Sequence, residues 1–137
     1  MPDDYVLHAE TPAVEDYLRL RIIAGLTPMN REGAVVGLPN TIFAVVVRKA
    51  GQVVGMGRVI GDGGLFFQVT DIAVRPEDQG QGVGKAVVGA LVTYLKAHAP
   101  VGAYISLIAD GEAHRLYARF GFELTAPRSV GMAFVIR

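Results

Sequence analysis

The chain contains no cysteine among its 137 residues. That excludes disulfides, a thiolate-held metal and a cysteine nucleophile. Histidine is scarce: His8, His98 and His114 are the three present, and their scatter offers no metal-ligand spacing. Neither sign of charge is in excess, because 13 Lys and Arg face 13 Asp and Glu. No block of lysine and arginine occurs, so the electrostatic footprint of a nucleic-acid partner is absent. No apolar run reaches the ~20 residues of a membrane span. Met1-Pro2-Asp3-Asp4 lacks the basic and apolar regions of a signal peptide. The expectation is a cytoplasmic, metal-free protein with no nucleic-acid and no membrane partner. What the chain does have is aliphatic carbon and glycine: 51% hydrophobic residues and 17 Gly. Its length and aliphatic excess suit one domain over residues 1–137, with a buried sheet covered by helices.

The most informative stretch runs from Val69 to Ala97. Val69-Thr70-Asp71-Ile72-Ala73-Val74 is rich in β-branched residues and bounded by Pro76, so it reads as a strand. Val83, Val87, Leu91 and Leu95 recur every four residues, with Val88 and Val92 widening the stripe, which predicts an amphipathic helix of about four turns. Between them lies Gln79-Gly80-Gln81-Gly82-Val83-Gly84-Lys85. A glycine turn that delivers free N–H groups to a helix start is an anion site, and a phosphate-bearing ligand follows from it. It is not a Walker A loop: Gln79 stands where that loop needs its first glycine, and Ala86 where Ser or Thr would hold magnesium. Nor is it the dinucleotide fingerprint, whose third glycine is Lys85 here.

The segment instead resembles Gln/Arg-x-x-Gly-x-Gly/Ala, the pyrophosphate loop of the acetyl-CoA-dependent N-acetyltransferases of the GNAT superfamily. A second stretch, Asp110-Gly111-Glu112-Ala113-His114-Arg115-Leu116-Tyr117-Ala118-Arg119-Phe120-Gly121-Phe122, is similar to that family's Asn-x-x-Ala-x-x-Leu-Tyr-x-x-x-Gly-Phe, with Asp110 in place of the Asn. Two motifs in the right order are far more specific than either alone. The resemblance covers residues 40–137 well and the first 40 loosely.

In chain order, Tyr5 to His8 predicts a first strand. Thr11 as N-cap and Pro12 as first helical residue predict a helix carrying Val14, Leu18 and Ile22 on one side and ending at Gly25. Asn30 is a cap for a shorter helix through Val36. Thr41–Arg48, Val53–Ile60 and a strand ending at Val74, joined by Lys49–Gln52 and by Gly61-Asp62-Gly63-Gly64, predict an antiparallel meander. Ala103–Ile108 reads as a short strand, Glu112–Phe120 as a helix stopped by Gly121, and Met132–Ile136 as a final strand. The order β-α-α-β-β-β-α-β-α-β is the α/β (α+β) arrangement the resemblance implies, a mixed, mostly antiparallel sheet with helices on both faces.

The resemblance also implies chemistry. Gln79, Gly80, Gln81, Gly82, Val83, Gly84 and Lys85 would hold the pyrophosphate of acetyl-CoA on backbone donors, with Lys85 either a point charge there or a solvated lysine. Ile72, Ala73 and Val74 would pair with the pantetheine arm like an added strand, which requires that strand to splay from Ala103–Ile108. A backbone N–H near Ile72 would then face the thioester carbonyl. Tyr117 would contact acetyl-CoA and act as general acid toward the departing thiolate. Asp110 would contact the cofactor arm or cap its helix. Asp71, Glu32 or water would take the amine's proton, although Asp71 could equally be a structural acceptor. With no Ser/His/Asp arrangement evident, direct attack on the thioester is preferred over an acyl-enzyme. The leading expectation is a small-molecule primary amine as acceptor. A protein lysine or N-terminal amine, or a non-catalytic acyl-CoA-binding module, stands beside it. The apolar run Met132-Ala133-Phe134-Val135-Ile136 suggests a homodimer.

Overall fold

Valine-rich runs separated by glycine turns build a five-stranded sheet in the computed structural model, which describes residues 1–137. Residues 1–107 form one unit and residues 108–137 a second. In the first, β1 (Tyr5–Ala9), β2 (Phe43–Lys49), β3 (Gln52–Gly61) and β4 (Phe66–Val74) are each antiparallel to the next. The last strand, β5 (Tyr104–Ser106), lies parallel to β4. The β3–β4 turn is held by the Asp62 carboxylate, which accepts from the N–H groups of Gly64, Leu65 and Phe66 at 2.8, 2.8 and 3.1 Å.

Helices cover both faces, as expected. On one face, α1 (Val14–Ile23) and α2 (Arg31–Gly37) bury Tyr17, Leu20 and Ala34 against Val46, Met56 and Ala73. On the other lies α3 (Val83–His98), whose Val83, Val87, Val88, Leu91, Val92 and Leu95 are all buried. This is the stripe the four-residue spacing predicts. Two β3 glycines let α3 approach. A Cβ on Gly55 would lie 2.7 Å from Val83 Cγ1, and one on Gly57 would lie 2.5 Å from Val87 Cγ1.

Asn30 caps α2 as expected, its side chain accepting from the N–H groups of Glu32 and Gly33. The α1 expectation needs correction. The helix begins at Val14 with Ala13 at the cap and no side-chain cap bond, two residues beyond the Thr11-Pro12 signal. Its buried side chains are Tyr17 and Leu20, while Ile22 stays 59% exposed. Packing of Tyr17 and Leu20 on the sheet sets the helix's rotation, and the local signal yields to it.

In the second unit, α4 (His114–Ala118) is shorter than the expected Glu112–Phe120. Bonds spanning three residues, Ala113 N–H to Asp110 O and Phe120 N–H to Tyr117 O, tighten its ends into single turns. Gly121, at φ 93°, stops it. The expected strand Met132–Ile136 does not form. A strand exists through its ladder partner, and these residues have none in the chain. Met132, Phe134 and Ile136 remain 85–90% exposed.

Candidate active site

The end of β4 and the start of α3 form the first part of the site. The β3–β4 register slips between Met56 and Arg58, so Ala73 faces Met56 while Thr70 faces Arg58. That bulge carries Asp71 into left-handed backbone, at φ 58°. On its other edge β4 pairs with β5 only through Phe66, Phe67 and Gln68. From Val69 to Val74 that edge has no neighbouring strand, the splay expected beside Ile72, Ala73 and Val74. The Gln79 side-chain amide donates to the Val74 carbonyl at 3.1 Å, tying the loop back to the strand.

Gly80 and Gly82 then take φ of 76° and 83°, backbone that L side chains rarely adopt. Gly82 is the N-cap of α3, and the bond from Ala86 N–H to Gly82 O closes the first turn. The N–H groups of Val83, Gly84 and Lys85 precede that bond and have no intrahelical acceptor. Gln81, Gly82 and Lys85 are exposed, whereas Val83 is buried and anchors the turn. Free N–H groups on a turn held by a buried valine make an anion-binding helix start. Ahead of that turn, Asp78 is 1% exposed and accepts from Tyr5 Oη and Arg75 Nε, both at 2.6 Å. Burial pushes its carboxyl up, but the Arg75 and Tyr5 hydrogen bonds prevail and hold it below the usual aspartate range.

The second part is a cavity of about 430 Å³ between α1, α2 and β3, on the face away from α3. Tyr17, Asn30, Leu38, Arg58 and Ile60 are among its walls, and no carboxylate side chain lines it. Asp71 sits behind it, with both oxygens engaged. Oδ2 accepts from Arg58 Nη1 at 2.6 Å; Oδ1 accepts from Arg21 Nη1 at 2.6 Å and Tyr17 Oη at 3.0 Å. Burial, the Asp71 charge and the hydrogen bond to it push the Tyr17 phenol up to about 12. Glu32 is exposed on α2 and does not line the cavity. Arg21, Arg58 and Tyr17 were not singled out from the sequence. They lie 50, 13 and 54 residues from Asp71, and no local spacing marks them.

In the second unit, Tyr117 is buried in α4 with its ring edge-on to Phe122, centroids 6.1 Å apart. Burial first, then the Asp110 charge, raise its phenol above the ordinary value. The Asp110 side chain does not cap α4; its carbonyl accepts from Ala113 N–H at 3.0 Å instead.

A mixed five-stranded sheet, a splayed strand and a glycine-turned helix start define an α/β domain with free backbone donors at one helix N-terminus and an open strand edge beside it. Residues 39–124 match the model of the acetyltransferase (GNAT) domain, so the chain belongs to the GNAT family of acyl-transferring enzymes. A probable acetyltransferase of unknown function from meticillin-resistant Staphylococcus aureus superposes with a TM-score of 0.92 at 44% identity, covering 96% of this chain and 99% of that one. The chain is 38% identical over 81 residues to GCN5-related N-acetyltransferase 2, chloroplastic, of Arabidopsis thaliana, covering 59% of this chain and 31% of the relative. It is 35% identical over 85 residues to serotonin N-acetyltransferase 2, chloroplastic, of Oryza sativa subsp. japonica, covering 62% and 42%. The chain thus spans less than half the length of these curated relatives.

Proposed function

We propose that this protein transfers an acetyl group from acetyl-CoA to the primary amine of a small molecule. The observation that carries the reading is the unpaired β4 edge from Val69 to Val74, followed in the chain by the glycine-turned start of α3. In this reading the N–H groups at the Gly80–Lys85 turn hold the pyrophosphate, and Lys85 adds an exposed point charge. The edge at Ile72, Ala73 and Val74, which lacks a neighbouring strand and whose Val74 carbonyl is taken by Gln79, receives the pantetheine arm and presents a backbone donor to the thioester oxygen.

The acceptor nitrogen attacks the thioester carbonyl, so a C–N bond forms and the C–S bond breaks. Tyr117 gives its proton to the leaving thiolate and recovers one from solvent. Its raised phenol keeps the group protonated at neutral pH. The ammonium's proton leaves through water, because both Asp71 oxygens are already acceptors for Arg21, Arg58 and Tyr17. Asp71 then positions the arginines. A cavity of about 430 Å³ is the size of a small-molecule site, which favours a free amine over a protein lysine. The name of the Oryza relative is consistent with a small amine. We add a homodimer to this reading, supported by the exposed run Met132–Ile136. A monomer mass by light scattering at micromolar concentration would remove it.

The deciding experiment measures thiol release from acetyl-, propionyl- and succinyl-CoA across a panel of amines, beside acyl-CoA binding alone. Amine-dependent release with the acetyl donor is expected. Binding without release under every amine would make the chain an acyl-CoA-binding module.

A further inference from the structure

We propose that the acceptor amine carries a carboxylate and that Arg58 receives it; this rests on reading the 430 Å³ cavity as the acceptor pocket. The charge behind that pocket does not cancel. Arg21 and Arg58 both pair with the single carboxylate of Asp71, so two positive groups against one negative leave one positive charge. The cluster is largely out of water: the side chains of Arg21, Arg58 and Asp71 are 13%, 9% and 4% exposed. Tyr17, the other polar partner, donates a neutral hydroxyl and contributes no charge.

Arg58 also has donors to spare. A guanidinium carries five N–H groups in a rigid fork. Nε is used on Thr41 Oγ1 at 2.9 Å, one Nη1 hydrogen on Asp71 at 2.6 Å, and one Nη2 hydrogen on the Gly37 carbonyl at 3.3 Å. One hydrogen on each terminal nitrogen is left, on a side chain more than nine-tenths buried that lines the cavity. No acidic side chain lines that cavity, so a second ammonium on the acceptor would find no partner there. One surplus positive charge matches one carboxylate and fits a dianionic phosphate less well. The aliphatic walls, Leu38 and Ile60 among them, leave room for an apolar body between the charged group and the amine.

The test has a binding arm and a turnover arm. Calorimetry compares 3-phenylpropionate, its neutral amide and 2-phenylethylphosphonate. The carboxylate is expected to bind at least tenfold tighter than the amide to the wild-type protein, the scale of a charge-assisted hydrogen bond. Arg58→Gln should erase that preference, and Arg58→Lys should restore part of it. Equal binding of acid and amide to the wild-type protein overturns the proposal without needing either variant to fold. Tighter binding of the phosphonate overturns the carboxylate assignment. In turnover, 3-(aminomethyl)benzoate should exceed benzylamine in kcat/KM by roughly 10- to 100-fold. Acetylation of both at equal kcat/KM overturns the carboxylate and leaves the acetyltransferase reading intact. Carboxylate binding with no acetylation of any amine overturns the acceptor role of the cavity, and with it the reading above.

Discussion

At the scale of single residues, Tyr117 separates an enzyme from a binder. Tyr117→Phe keeps the ring against Phe122 and removes only the hydroxyl. General acid catalysis is typically worth about 10²–10⁴-fold, roughly 3–5 kcal/mol of barrier. We predict a fall in turnover of that size at saturating amine, persisting across pH, with acetyl-CoA affinity nearly unchanged. A loss of only a few-fold would mean that water supplies the proton. Gly82 makes the complementary test. Its φ of 83° strains any L side chain, and Gly82→Asp adds negative charge where the pyrophosphate is expected. We predict loss of measurable CoA binding by calorimetry in a folded Gly82→Asp protein; unchanged affinity would move the cofactor site elsewhere. These positions were readable because their signal is local, a glycine turn or a short spaced motif. Asp71 was readable as a carboxylate beside the strand, but its partners were not. Arg21, Arg58 and Tyr17 reach it through tertiary packing, which leaves no spacing to read.

At the scale of elements, the packing of α3 on β3 depends on the missing side chains of Gly55 and Gly57. The stripe from Val83 to Leu95 was legible, because a four-residue period records which face of a helix is buried. The glycines beneath it were not, since a strand glycine says only that something comes close. We predict that Gly57→Ala, whose Cβ would lie 2.5 Å from Val87 Cγ1 and 2.7 Å from Ile72 Cδ1, destabilises the protein by about 1–3 kcal/mol in urea unfolding. Relief of that clash pushes α3 outward at its N-terminal half, so CoA affinity should fall with stability. Gly33→Ala is the control. It sits within α2 with nothing inside 4 Å of an added Cβ, and should leave stability unchanged or raise it by up to ~1 kcal/mol. Equal losses from the two substitutions would refute the packing argument. The same contrast between local and tertiary signals explains the failures. Thr11-Pro12 announces a helix that starts two residues later, and Met132–Ile136 has strand composition but no strand to pair with.

At the scale of the whole molecule, we predict that two buried groups lower stability at opposite ends of the pH range. Asp78 is held below its ordinary value when folded, so its contribution is present above about pH 4 and is lost as pH falls through the folded value. Glu10 and Glu15 act in the same direction through Arg48 and Arg31, but they are exposed and salt screens them. Tyr17 runs the other way. Its phenol is raised to about 12 when folded, against about 10 unfolded, so the folded chain holds that proton more tightly. The stability it contributes is therefore complete below pH 10 and lost as pH rises through 12. Two pH units at 1.36 kcal/mol each make that loss ~2–3 kcal/mol. Tyr5 and Tyr117 are raised as well and add to the same slope. We predict a urea-unfolding free energy that is level between about pH 5 and 9 and declines on both sides. Tyr17→Phe should lower the plateau, because the Asp71 hydrogen bond is gone, and should also flatten the alkaline decline by the Tyr17 share. That second effect is the diagnostic one. A variant with a lower plateau and an unchanged alkaline slope would show that the phenol titrates alike in folded and unfolded chains. The buried net of Tyr17, Asp71, Arg21 and Arg58 would then have to be more open to water than its geometry indicates.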